Sequence, residues 1–301
     1  MERAVTLQRP EGPDKVTGRA LFASDLKIEG AWFGATLRSG VARGRLLGFD
    51  FDPRFDFSRV AIAGPDDIPG ENLVAMIVDD QPLLCARDIE HWGEPLLLVA
   101  APDAELLRTA LAAITPRIEA REPQLDMEAS VRVFKQLEIT KGDVYAAFAS
   151  RDATLTHVIE GEYRTDTQEQ MYIEPQGFVA FPPDSEGTTL VHGSMQCPYY
   201  VQKSLARALG IAPARARVVQ AVTGGGFGGK EDYPSVLGCH AALLARKSGH
   251  PVRMIYDRHE DLAVTPKRHP SRVTHRTLVK SDGTLLAMDI DVLLDGGAYT
   301  T

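Results

Sequence analysis

Between residues 31 and 123, short apolar runs are broken by polar positions, as at 31–37 and 73–78, the pattern of short β-strands. One stretch departs from it: Asp103 opens a run with helical spacing, which predicts a helix over 103–111 and slightly beyond. From 119 to 141 the chain turns polar and irregular and reads as a linker. Strands are predicted beyond it at 157–163, 177–181 and 188–192, the last fed by the turn Asp184-Ser-Glu-Gly187. Val201, Leu205, Ala208 and Leu209 then mark a helix over 199–209 that stops at Gly210. A strand at 217–222 leads through a glycine-rich loop into a helix at 234–247, closed by Ser248 and Gly249. Residues 285–299 read as a strand running into a glycine turn, an unusual place for a domain to end. The pattern is α+β, with a first domain over 1–123, a linker over 124–141 and a second domain over 142–301.

A chain of 301 residues with 44% hydrophobic content can form two domains with real cores. The net charge of −8, with both signs interspersed, argues against a nucleic-acid surface or an anionic membrane as partner and for small molecules or proteins. The first ten residues lack the apolar core and cleavage site of a signal peptide, and no stretch reaches the ~18 apolar residues of a membrane span, so a cytoplasmic protein is expected. Cys85, Cys197 and Cys239 are far apart with no Cys-x-x-Cys pair, which reads as three reduced, partly buried thiols with no cluster or zinc site. His240, His259 and His269 are not at metal-ligand spacing, and a lone histidine of this kind reads as a surface or hydrogen-bonded core residue.

The richest chemistry lies at Gly224-Gly-Gly-Phe-Gly-Gly-Lys-Glu231, where five glycines surround one phenylalanine. Missing side chains let backbone N–H groups approach a ligand closely, and a strand, glycine loop and helix in that order suit an anionic or oxo ligand. Residues 224–230 also satisfy P-loop spacing, but position 231 is Glu where a Ser or Thr should meet magnesium, and a carboxylate there repels phosphate. A degenerate nucleotide site therefore stays as a rival, as does a turn serving only close packing. Glu231 can equally be a solvated residue paired with Lys230 or placed at the following helix N-terminus.

The loop is one of seven blocks, in order, that carry a wider resemblance. The others are Pro13-Asp-Lys-Val-Thr-Gly-Arg-Ala20, Pro82-Leu-Leu with Trp92-Gly-Glu-Pro95, Glu160-Gly-Glu-Tyr163, Met171-Tyr-Ile-Glu-Pro-Gln176, Gly193-Ser-Met-Gln196, and Tyr256-Asp-Arg258 through Lys267-Arg-His-Pro270. Together they resemble the molybdenum-binding large subunit of the xanthine dehydrogenase and aldehyde oxidase family of molybdenum hydroxylases, nearly from end to end of this chain.

The resemblance implies an N-terminal α/β hammerhead domain followed by the first part of a molybdopterin-binding domain, C-terminally incomplete. It implies a molybdenum–molybdopterin cofactor, with iron–sulfur clusters and FAD on partner chains or domains, and hydroxylation of a purine or related N-heterocycle with oxygen from water. Gln196 matches a glutamine whose amide meets an oxygen ligand of molybdenum. Gly226, Phe227 and Gly228 match the cofactor-binding turn, where the Phe227 and Gly228 N–H groups face molybdenum oxygen ligands and the pterin. Glu231 matches a substrate-orienting glutamate of xanthine-oxidising members, where aldehyde-oxidising members tend to an apolar residue. Glu174 and Gln176 are expected to brace the loop, and Lys267-Arg268-His269 is either a solvated cluster or a phosphate contact. Family subunits continue well past the equivalent of Thr301, carrying the catalytic glutamate base, a substrate-orienting arginine and most pterin contacts. Alone, these 301 residues are expected to be inactive. Aldehyde oxidation and a catalytically silent scaffold remain alternatives.

Overall fold

The computed structural model describes residues 9–74 and 78–300. Residues 75–77 of the run expected at 73–78 lie outside the described residues. In chain order the elements are α1 (Gly12–Val16), β1 (Trp32–Arg38), β2 (Gly44–Phe51), β3 (Ala61–Ala63), β4 (Asp88–Ile89), β5 (Pro95–Ala101), α2 (Ala104–Ala112), β6 (Ile114–Ala120), α3 (Val144–Ala149), β7 (Thr156–Thr165), β8 (Gly177–Ala180), β9 (Thr189–Gly193), α4 (Pro198–Leu209), β10 (Ala216–Gln220), α5 (Tyr233–Ser248), β11 (Val252–Ile255), α6 (Arg258–Val264), β12 (Ser271–Lys280) and β13 (Leu285–Leu294). Helices and strands are mixed along the chain, making it α+β.

Two compact units are interleaved along the chain. The first takes in residues through Glu122 and then Gln170–Pro266; the second comprises Pro123–Glu169 and Lys267–Thr300. This differs from a consecutive division at 124–141, and the reason is a sheet ladder. In the seven-stranded sheet β10-β9-β8-β11-β1-β5-β3, β1 pairs in parallel with β11 through Trp32↔Val252 and Phe33↔Arg253. Early and late strands therefore bury one core together.

That core explains β5. Leu98 and Ala100 face the cluster built on α4 and α5, whereas Leu97, Val99 and Ala101 face α2, so all seven residues of β5 are buried. A strand covered on both sides has no polar alternation. The first unit also carries the sheet β4-β2-β6. The second unit is the antiparallel sheet β13-β12-β7 with α3 against it.

Local signals set the helix ends. Asp103 caps α2 by accepting from the Leu106 N–H at 2.8 Å, and Gly210 and Gly249 end α4 and α5 with φ of +63° and +71°. No helix among the described residues is long and apolar enough to cross a membrane.

Candidate functional site

Strand β9 delivers Gln196 just past its end, and β10 delivers the glycine loop just before α5. The two meet backbone to backbone: the Gln196 N–H donates to the Lys230 carbonyl at 2.7 Å. The Gln196 side chain then accepts, through Oε1, from the N–H groups of Gly228 at 3.0 Å and Lys230 at 3.2 Å. With its oxygen committed to the loop, the amide meets any ligand through Nε2, as a donor only.

Residues 226–229 form a tight turn closed by the Gly229 N–H on the Gly226 carbonyl at 2.7 Å. Gly226 is required by proximity, because a Cβ there would lie 2.3 Å from Gln196 Oε1. Gly228 is required by its backbone, with φ of +89°, and its missing side chain faces open space. Between them Phe227 holds φ of +54° with 74% of its surface exposed. A bulky residue in that backbone region points to a constraint from its surroundings. Among the described residues, the N–H groups of Gly225, Gly226 and Phe227 have no intramolecular acceptor. Three successive amides in a bent turn make a concave donor surface for an anion or an oxo group.

Behind the loop lies a buried polar floor. Glu174 Oε2 accepts from the Gly224 N–H at 2.7 Å, the Ser194 hydroxyl at 2.6 Å and Lys230 Nζ at 2.9 Å. Gln176 Nε2 donates to the Gly229 carbonyl at 2.8 Å and the Tyr172 hydroxyl at 3.0 Å, and the Gln176 N–H donates to Asp261 Oδ2 at 2.6 Å. Tyr172 in turn donates to Asp261 Oδ1 at 2.7 Å, and burial followed by that carboxylate pushes its phenol well above the ordinary range. Burial pulls the Lys230 ammonium down from its ordinary value, against the opposing pull of Glu174. Glu174 and Gln176 do brace the loop.

Lys230 corrects two readings of the sequence. Its ammonium is fully buried and paired with Glu174, so it is not the partner of Glu231. Nor does it extend from the loop as a P-loop lysine must to meet phosphates, which removes the nucleotide-site reading. Glu231 itself is exposed, in the turn before α5. It lies beside the Gln196–Cys197 corner: burial, then the charges of Glu231 and Asp232, push the Cys197 thiol up.

Other candidates have surroundings of their own. Lys267 pairs with Glu169 at 2.7 Å, and Arg268 donates to Gln168 Oε1 and the Asp166 carbonyl, all within the second unit. His259 stands on α6, which Asp257 caps by accepting from the Glu260 N–H at 2.8 Å. His240 is buried on α5 with Nε2 at 2.8 Å from the Leu83 carbonyl. Among the described residues no three His, Cys, Asp or Glu side chains group as a metal site. A metal held here would need ligands of its own, with the protein meeting them through Gln196 Nε2 and the turn amides. A molybdenum–pterin group fits that donor set.

Comparison with known proteins agrees. Residues 17–121 match the aldehyde oxidase and xanthine dehydrogenase a/b hammerhead domain, and residues 126–301 the molybdopterin cofactor-binding domain. The nicotinate dehydrogenase large molybdopterin subunit of Eubacterium barkeri is 33% identical over 96% of this chain and 69% of its own length. A probable xanthine dehydrogenase component from Bacillus subtilis strain 168 is 32% identical over 97% of this chain, which spans only 40% of that protein. The fold matches quinoline 2-oxidoreductase from Pseudomonas putida 86 with a TM-score of 0.84 at 24% identity, over 97% of this chain and 39% of that one. The chain therefore belongs to the xanthine dehydrogenase and aldehyde oxidase family of molybdenum hydroxylases, and corresponds to the hammerhead and cofactor-binding segments of its molybdopterin-carrying subunit.

Proposed function

We propose that this chain holds a molybdenum–molybdopterin cofactor against Gln196 and the turn at Gly226, Phe227 and Gly228, within an enzyme that hydroxylates an electron-poor carbon of a purine or related N-heterocycle. The carrying observation is the row of N–H groups at Gly225, Gly226 and Phe227 with no acceptor among the described residues, next to an amide whose oxygen is taken by the loop and whose Nε2 can only donate. The Gly228 N–H is taken by Gln196 Oε1, so the turn presents its donors through the residues before Gly228. Bound there, the cofactor supplies the two-electron redox chemistry and the oxygen derived from water. The protein's part is to orient it by Gln196 Nε2 and the turn amides. Iron–sulfur and FAD partners, on other chains or domains, take the electrons. We place the enzyme in the cytoplasm, where the free thiols of Cys85, Cys197 and Cys239 stay reduced.

Glu231 orients the substrate in this reading. An exposed carboxylate beside the Gln196 corner can accept from a ring N–H or, protonated, donate to a ring nitrogen, a contact an aldehyde does not need. Relatives named for nicotinate and xanthine support an N-heterocycle. Two measurements test this on the protein purified from its host with whatever accompanies it. Near-stoichiometric molybdenum by inductively coupled plasma mass spectrometry is expected, and its absence leaves the scaffold reading. Glu231→Val is expected to reduce purine turnover by roughly 100-fold while sparing aldehyde turnover; equal losses on both remove Glu231 from substrate choice.

A further inference from the structure

We propose that Glu174 and Lys230 form a buried, charge-paired clamp that presets the glycine turn in its donor-presenting shape, which makes Lys230 a positioning residue for the ligand of that turn. The pair spans the whole loop. One oxygen of Glu174 takes the N–H of Gly224, the first residue of the glycine run, and the ammonium of Lys230, the residue that ends it. Ser194 closes the triangle: its hydroxyl donates to Glu174 and accepts from Lys230 Nζ at 3.0 Å. The remaining side of the ammonium faces the Tyr172 ring, 4.8 Å from its centroid. The second oxygen of Glu174 takes the Ala23 N–H at 3.3 Å, and Lys15 Nζ reaches the Thr223 carbonyl at 3.2 Å, so the segment before β1 also holds the loop's start.

A buried ion pair is a poor source of net stability, because desolvating two charges roughly cancels their attraction. Its exclusive strength is direction. Five glycines lose more conformational freedom on ordering than any other residues, and they have no side chains to pack, so bonds to the backbone must fix them. Side chains at the C-terminal end of that run cannot do it from outside, since Phe227 is exposed and Glu231 faces solvent. A carboxylate beneath both ends can.

The inference rests on the cofactor reading only where molybdenum is concerned; the preset turn is a property of the polypeptide. Amide hydrogen exchange on the isolated full protein tests it, comparing wild type with Glu174→Gln, Lys230→Met and the double variant. Each single change leaves a buried charge unpaired and is expected to lower the melting temperature, whereas the neutral double variant recovers most of that loss. In the double variant the bonded amides of Gly228, Gly229 and Lys230 are expected to exchange about tenfold faster or more. Amides in β5 and the middle of α5 keep wild-type protection, which a mere fold stabiliser would not allow. Unchanged loop protection overturns the clamp, and so does loss shared equally by β5 and α5. Molybdenum content separates the two claims: a loosened loop in a protein whose wild type holds no molybdenum sustains the clamp and sinks the cofactor reading, whereas molybdenum in the wild type with unchanged loop exchange in the double variant does the reverse.

Discussion

The side-chain oxygen of Gln196 sits 3.0 Å from the N–H of Gly228, across 32 residues of chain, and that bond fixes which end of the amide faces outward. Two substitutions separate the bracing from the donation. Gln196→Glu keeps an oxygen for the Gly228 and Lys230 N–H groups but has no donor when ionised, so stability in urea should change by no more than ~0.5 kcal/mol while molybdenum content falls. Gln196→Ala removes the one acceptor of both bonds and should lower stability by about 1 kcal/mol as well. Full molybdenum retention in Gln196→Glu sinks the role of Nε2.

Gly226 and Gly228 should fail differently when changed to alanine. At Gly226 the new Cβ would lie 2.3 Å from Gln196 Oε1, so the amide must swing away, and both its bonds to the loop go with it. At Gly228 the Cβ enters open space, and the loss is backbone strain at φ of +89°, about 1–2 kcal/mol. Gly226→Ala should therefore reduce molybdenum content more than Gly228→Ala does at equal thermal stability. The reverse ranking would mean that the approach of Gln196 is not what demands glycine.

Much of this architecture was legible along the chain because its signals were local. Gly210 and Gly249 end helices as glycines in left-handed backbone do, and Asp103 caps as an aspartate before an apolar helical run does. Strand β5 gave no alternation, since α2 and α5 cover opposite faces. The spacing Asp257-Arg-His-Glu260 carries a capping signal that places His259 on a helix, and it was readable. The position of Lys230 was not. Its burial depends on Glu174, 56 residues earlier, and on Ser194 at the end of another strand, contacts that no local pattern encodes.

Phe227 distinguishes main chain from side chain at the turn. With φ of +54° and 74% exposure, its ring gains little from burial while its backbone is strained. Asparagine tolerates that backbone region through its short polar side chain. Phe227→Asn should leave stability unchanged or raise it by up to ~1 kcal/mol, with molybdenum content kept, because the N–H groups stay in place. A tenfold loss of molybdenum would assign the contact to the ring.

His240 should make the fold sensitive to acid. It is fully buried on α5, Nε2 meets the Leu83 carbonyl, and burial, with a smaller push from the Arg38 charge, lowers its pKa to about 3. Above about pH 6.5 the imidazole is neutral in both folded and unfolded chains and contributes no slope. Below that, the unfolded chain takes up a proton that the folded chain refuses. Unfolding free energy should then fall with pH, by up to ~1.4 kcal/mol per unit, until about pH 3. His240→Gln can still donate to Leu83 but does not titrate, so its stability should fall less steeply between pH 6 and 4 and run parallel to wild type between pH 7 and 8. Urea unfolding across that range decides the matter: equal slopes below pH 6 would show that the buried imidazole takes up its proton without loss.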